Sequence, residues 1–182
     1  MVGCITRLVP QKGVHLIRHA IYRTLELGGQ FVLLGSSPVA HIQREFEGIA
    51  NHFINHDDIR LILKYDESLS HSIFAASDIF IIPSIFEPCG LTQMIAMRYG
   101  SIPVARKTGG LNDSVFDVDD DTVPLQFQNG FTFLTPDEHV NNLSCRCSCN
   151  SSMVSIWHLC EALSYQSMLP PAAALLLRPL SN

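Results

Sequence analysis

Glu87 stands between the apolar run Ile79, Phe80, Ile81, Ile82 and the glycine that opens the next helix, in Pro83-Ser-Ile-Phe-Glu-Pro-Cys-Gly-Leu-Thr-Gln93. An acidic side chain on a strand-to-helix turn sits where open α/β sheets bind ligands, outside the carboxyl ends of their strands. Pro88 stiffens that turn, and the helix after it offers free N–H groups to an anion. Two more segments carry complementary chemistry. Gly3-Cys-Ile-Thr-Arg-Leu-Val-Pro-Gln-Lys-Gly13 places the cations Arg7 and Lys12 just after a strand. Arg106-Lys-Thr-Gly-Gly-Leu-Asn-Asp113 offers a backbone cradle at Thr108, Gly109 and Gly110, with glycines that permit close approach. Taken singly, each has a plain alternative: two solvated loop cations, a helix-capping acid favoured by the macrodipole, and a common turn.

Hydrophobic patterning supplies the elements that must hold these residues. Strands are expected at 2–5, 31–34, 59–63, 79–82 and 102–105, and helices at 14–27, 39–53 and 91–99. The 14–27 helix puts Leu16, Ile17, Ala20, Ile21 and Leu25 on its buried face and closes at Gly28 and Gly29. Ser68 is the expected N-cap of a further short helix ending at Ala76. The strands are continuously apolar, which implies burial on both faces and a parallel sheet with helices on each side. The fold class is therefore α/β and Rossmann-like.

Composition narrows the function. A chain of 182 residues, 47% hydrophobic and 16% charged, can bury one sizeable core. A formal charge of −5 with no basic stripe argues against nucleic acid as partner. No apolar run approaches the roughly 20 residues that span a membrane. The cysteines read as reduced and unpaired: Cys4 in a core strand, Cys89 in the candidate site, and Cys145, Cys147, Cys149 and Cys160 crowded near the end. His15, His19, His41, His52, His56 and His71 show no metal-ligand spacing, and Cys145, Cys147, Cys149, His158 and Cys160 lack the paired halves of a zinc site. The glycines fit neither a Walker loop nor a dinucleotide fingerprint. No metal and no cofactor are expected.

The three segments, in their order and separation, resemble the donor-binding half of the starch and glycogen synthases, retaining glycosyltransferases of the two-domain GT-B type. The resemblance covers residues 3–138, and the acidic Asp117-Val-Asp-Asp-Asp121 with Asn129-Gly-Phe-Thr-Phe133 looks most like the plant class IV starch synthases. It implies transfer of glucose from ADP-glucose to the non-reducing end of an α-1,4-glucan, with retention, in a plastid. A diphosphate leaving group calls for fixed cations and N–H groups, and by resemblance Arg7 and Lys12 supply the cations. Glu87 by resemblance lies near the transferred glucose, as nucleophile or as electrostatic support. The second glutamate of a more general retaining pattern is here Ile95. Cys89, Gly90, Leu91 and Thr92 are implied to face phosphate and glucose, with a buried small hydrophobe as the alternative for Cys89. Tyr65 is implied to flank adenine, and Gly35 and Ser36 to close a neighbouring strand end.

Residues 1–138 are thus expected to form a nucleotide-sugar domain, and 139–182 an atypical, irregular tail. The run Ser144-Cys-Arg-Cys-Ser-Cys-Asn-Ser-Ser152 has no periodicity, and an unspliced intron or frame change is the preferred account of it. Met1 leads straight into a strand without a transit-peptide signature, so an N-terminally truncated product of a longer enzyme is expected. Such a chain would bind ADP or ADP-glucose weakly and elongate nothing alone, because catalysis needs a second domain for the glucan acceptor. Two other readings stay open: a non-catalytic module that pairs with other starch synthases, and an aberrant product without function.

Overall fold

Short apolar strands, the first five each followed by a helix, build one six-stranded parallel sheet in the computed structural model, which describes residues 1–134. The strands are β1 (Val2–Ile5), β2 (Phe31–Leu34), β3 (Ile59–Ile62), β4 (Ile79–Ile82), β5 (Ile102–Arg106) and β6 (Phe131–Phe133). The helices are α1 (Val14–Glu26), α2 (Ala40–His52), α3 (Glu67–Ala76), α4 (Thr92–Tyr99) and α5 (Gly109–Asn112). Sheet order is β3-β2-β1-β4-β5-β6. Because β1 pairs with both β2 and β4, the order reverses between β1 and β4, which creates a crevice at their carboxyl ends.

Burial follows the strand pattern. All four residues of β2 and of β4 are buried, as a parallel sheet covered on both faces requires. One core cluster joins Phe80, Ile82 and Ala105 of the sheet to Ile73 and Phe74 of α3 and Ala96 of α4. The rings of Phe74 and Phe80 stack with centroids 4.6 Å apart. On α1 the buried residues are Ile17, Ala20, Ile21 and Thr24, while Leu16 and Leu25 are only half-buried. The helix ends where Gly28 N–H reaches Leu25 O and Gly29 N–H reaches Thr24 O, each at 2.9 Å.

Two sequence expectations change. Asp66, not Ser68, caps α3: its extended backbone precedes Glu67, and its carboxylate accepts from Leu69 N–H at 3.0 Å. Ser68 already lies inside the first turn. Hydrogen bonds from Lys64 and from that N–H hold the Asp66 carboxyl below the usual carboxylate range. The second change is β6, a strand the patterning did not anticipate, which pairs Val104 with Phe131 and Arg106 with Phe133. Asp117 anchors it by accepting from both the backbone N–H and the hydroxyl of Thr132. The expected tail at 139–182, its cysteine cluster and the boundary at 138 lie outside the described residues.

Candidate functional site

The crevice at the carboxyl edge of β1 and β4 gathers the charged candidates. Lys12, on the turn leading into α1, forms an ion pair with Glu87, on the turn between β4 and α4. Both side chains are largely buried, at 21% and 14% exposure, so solvent screens the pair less than a surface bridge. Glu87 also accepts a 3.1 Å hydrogen bond from Ser84. A small pocket of about 10 Å3 opens here, lined by Lys12, Ser84, Glu87, Thr92, Thr6 and Pro83.

Backbone contacts lock three loops around that pair. Ile85 N–H donates to Gln11 O at 2.8 Å, and the Gln11 amide donates to Phe86 O at 3.0 Å. A Cβ on Gly13 would meet Pro83 O at 2.1 Å, so the two turns touch main chain to main chain. From the other side, Gly110 N–H donates to Glu87 O at 3.0 Å. Arg106 reinforces this from β5 by donating to Ile85 O and to Leu134 O.

The other candidates lie on the loops after β1, β2, β3 and β4. Cys89 and Leu91 are exposed at the start of α4, and Gly90 is buried beneath them with φ 68°. The alternative of a buried Cys89 is therefore corrected: the turn lifts its thiol out to solvent. Arg7 is exposed after β1, and its guanidinium has no partner among the described residues. Gly35 and Ser36 close β2 beside it, with Ser36 O accepting from Leu8 N–H at 2.9 Å. Tyr65 is the outlier. It is 84% exposed on the loop after β3, an edge strand two positions from the switch point, and its hydroxyl reaches Glu67 at 3.4 Å.

Sequence reading missed Ser84, Arg106, Gln93 and Ser114. Only Ser84 carried a signal, a hydroxyl three residues before the acid on a single turn. Among the described residues no cluster of His, Cys, Asp or Glu could hold a metal ion.

The two described cysteines differ in reactivity. Burial pushes the Cys4 thiol up to about 12, so it stays protonated and inert. Brief treatment of the native chain with iodoacetamide at neutral pH is expected to alkylate Cys89 and spare Cys4. Peptide mass spectrometry reads this directly, and equal labelling of both would contradict the packing of β1.

Sheet order and parallel register are those of a Rossmann-like α/β domain, and the likeness to solved relatives and to a glycosyltransferase family makes it the carboxyl-terminal half of a GT-B glycosyltransferase. The family model described as glycosyl transferases group 1 matches residues 1–144, and the chain belongs to that family. It is 86% identical over 138 residues to the probable starch synthase 4, chloroplastic/amyloplastic, of Arabidopsis thaliana, covering 76% of this chain and 13% of that protein. It is 60% identical over 139 residues to starch synthase 3, chloroplastic/amyloplastic, of the same plant, covering 73% of this chain and again 13% of the relative. Among solved structures, the catalytic domain of Arabidopsis thaliana starch synthase IV bound to ADP and acarbose matches with a TM-score of 0.79 at 76% identity. That match covers 86% of this chain and 30% of the solved one. The chain thus spans only a small part of the relatives it matches.

Proposed function

We propose that residues 1–138 are the donor-binding domain of a starch synthase-type glucosyltransferase, which moves glucose from ADP-glucose to the non-reducing end of an α-1,4-glucan with retention. The observation that carries this reading is the Lys12–Glu87 pair at the switch point of a chain so close to starch synthase 4. Lys12 and Arg7 neutralise the charge that grows on the leaving ADP. Glu87, released from Lys12 as the ammonium turns to phosphate, faces the glucose and stabilises positive character at its anomeric carbon. Backbone N–H groups of Gly90 and Leu91, with the Thr92 hydroxyl and Cys89, line the sugar and phosphate. Thr108, Gly109 and Gly110 form the opposing cradle, and Gly35, Ser36 and Tyr65 extend the site toward the nucleoside. The setting is the plastid, as in the plant relatives' names. Acceptor-binding groups come from outside residues 1–138, so these residues by themselves bind donor and do not elongate glucan.

Calorimetric titration with ADP tests the reading. Saturable binding is expected, weakened by about 100-fold or more in an Arg7→Ala/Lys12→Ala variant, since two charge-assisted contacts are lost. No binding by the unaltered chain, or equal binding by the variant, would overturn it.

A further inference from the structure

Beneath the two cradling turns lies a polar tie that none of the donor contacts above uses. Gln93, on α4, is fully buried. Its Nε2 donates to Gly90 O and to Ser114 Oγ, each at 2.9 Å. Ser114, half-buried, donates in turn to Gly110 O at 2.7 Å. Gly110 N–H then reaches Glu87 O at 3.0 Å, which closes a ring between the 87–90 turn and the 108–110 turn.

The orientation of the Gln93 amide is set by its neighbours. Gly90 O can only accept, and the Ser114 hydrogen is committed to Gly110, so both positions require the nitrogen. That leaves Gln93 Oε1 buried with no partner among the described residues. A stranded oxygen is costly where an apolar side chain of similar size would not be. What the amide contributes in exchange is its pair of donated bonds: one ends on the Glu87 turn at Gly90 O, and the other reaches the 108–110 turn through Ser114.

We propose that Gln93 and Ser114 are positioning residues, which hold the Glu87 turn at a set distance from the glycine cradle and so place Glu87 against the sugar of a nucleotide-sugar donor. This rests on the donor-site reading above. Arg7 and Lys12, the cationic diphosphate contacts, stand on a different loop, so opening the ring acts more on the sugar than on the diphosphate.

Affinities for ADP and for ADP-glucose, measured side by side on the whole chain, separate the two. Gln93→Leu and Ser114→Ala, each of which removes two hydrogen bonds of the ring, are expected to weaken ADP-glucose by about tenfold or more, with ADP within about twofold of the unaltered chain. Ser114→Thr, which keeps the hydroxyl, is expected to restore the ratio. Equal weakening of both ligands, or no change in either, in a variant with a native circular-dichroism spectrum would overturn the proposal. Ser114→Ala decides the matter if Gln93→Leu does not fold. Failure of the unaltered chain to bind ADP would sink the donor-site reading itself, and this inference with it. ADP binding with variants whose ratio is unmoved sinks this inference alone.

Discussion

Phe80→Ala is expected to lower the unfolding free energy by about 3–5 kcal/mol, the cost of deleting a buried aromatic ring and leaving a cavity. Domains have only about 5–15 kcal/mol in total, so a large unfolded fraction should appear under mild denaturant. Phe80 has no exposed surface and stacks on Phe74, so α3 loses an aromatic contact with the sheet. Its ring also packs over Gly3 of β1, 2.9 Å from where a Cβ would stand, and Gly3 has no side chain of its own to fill the void. The consequence reaches the site, because β4 carries the turn that ends in Glu87. Urea unfolding followed by fluorescence and circular dichroism measures the change, and a loss under 1 kcal/mol would show that this core relaxes around the cavity.

Gly109→Val should remove donor binding while leaving most of the fold intact. Gly109 has a positive φ of 46°, where an L side chain is strained. A Cβ there would also stand 2.1 Å from Glu87 O, and backbone cannot yield as a side-chain tip can. Relief requires the two turns to separate, which breaks the Gly110-to-Glu87 bond and shifts the carboxylate from the pocket. An ADP-glucose affinity lower by about 100-fold is expected, because misplacement by about an ångström has effects of that size. The clash is confined to two surface turns and leaves the buried sheet untouched, so the chain should stay folded with a lowered melting temperature. Gly28→Ala is the control: it shares a positive φ, 71°, but a Cβ there meets nothing within 4 Å. If Gly109→Val binds donor within threefold of the unaltered chain, the turns are not coupled as described.

Legibility varied with the range of the signal. Strands β1 to β5 and helices α1 to α4 were readable because continuous apolar runs and helical spacing are local patterns. Strand β6 was not, since three residues are too few to show a period and its place depends on β5 and Asp117. Ser68 was read as a cap on residue type alone. Asp66 won because it is the residue with extended backbone whose oxygen reaches the third helical N–H. Cys89 could have been buried or exposed, and only the path of the turn decided.

By itself, the sequence determined the element types, the parallel sheet and the three segments that mark the family, because periodicity and motif spacing are written along the chain. Tertiary structure alone decided which groups meet. Lys12 and Glu87, 75 residues apart, pair because β1 and β4 are neighbours at the switch point. Gln93 and Ser114, 21 residues apart, meet because the 108–114 segment folds back under α4. Such contacts are set by strand order and register, which bring together residues that no local pattern relates.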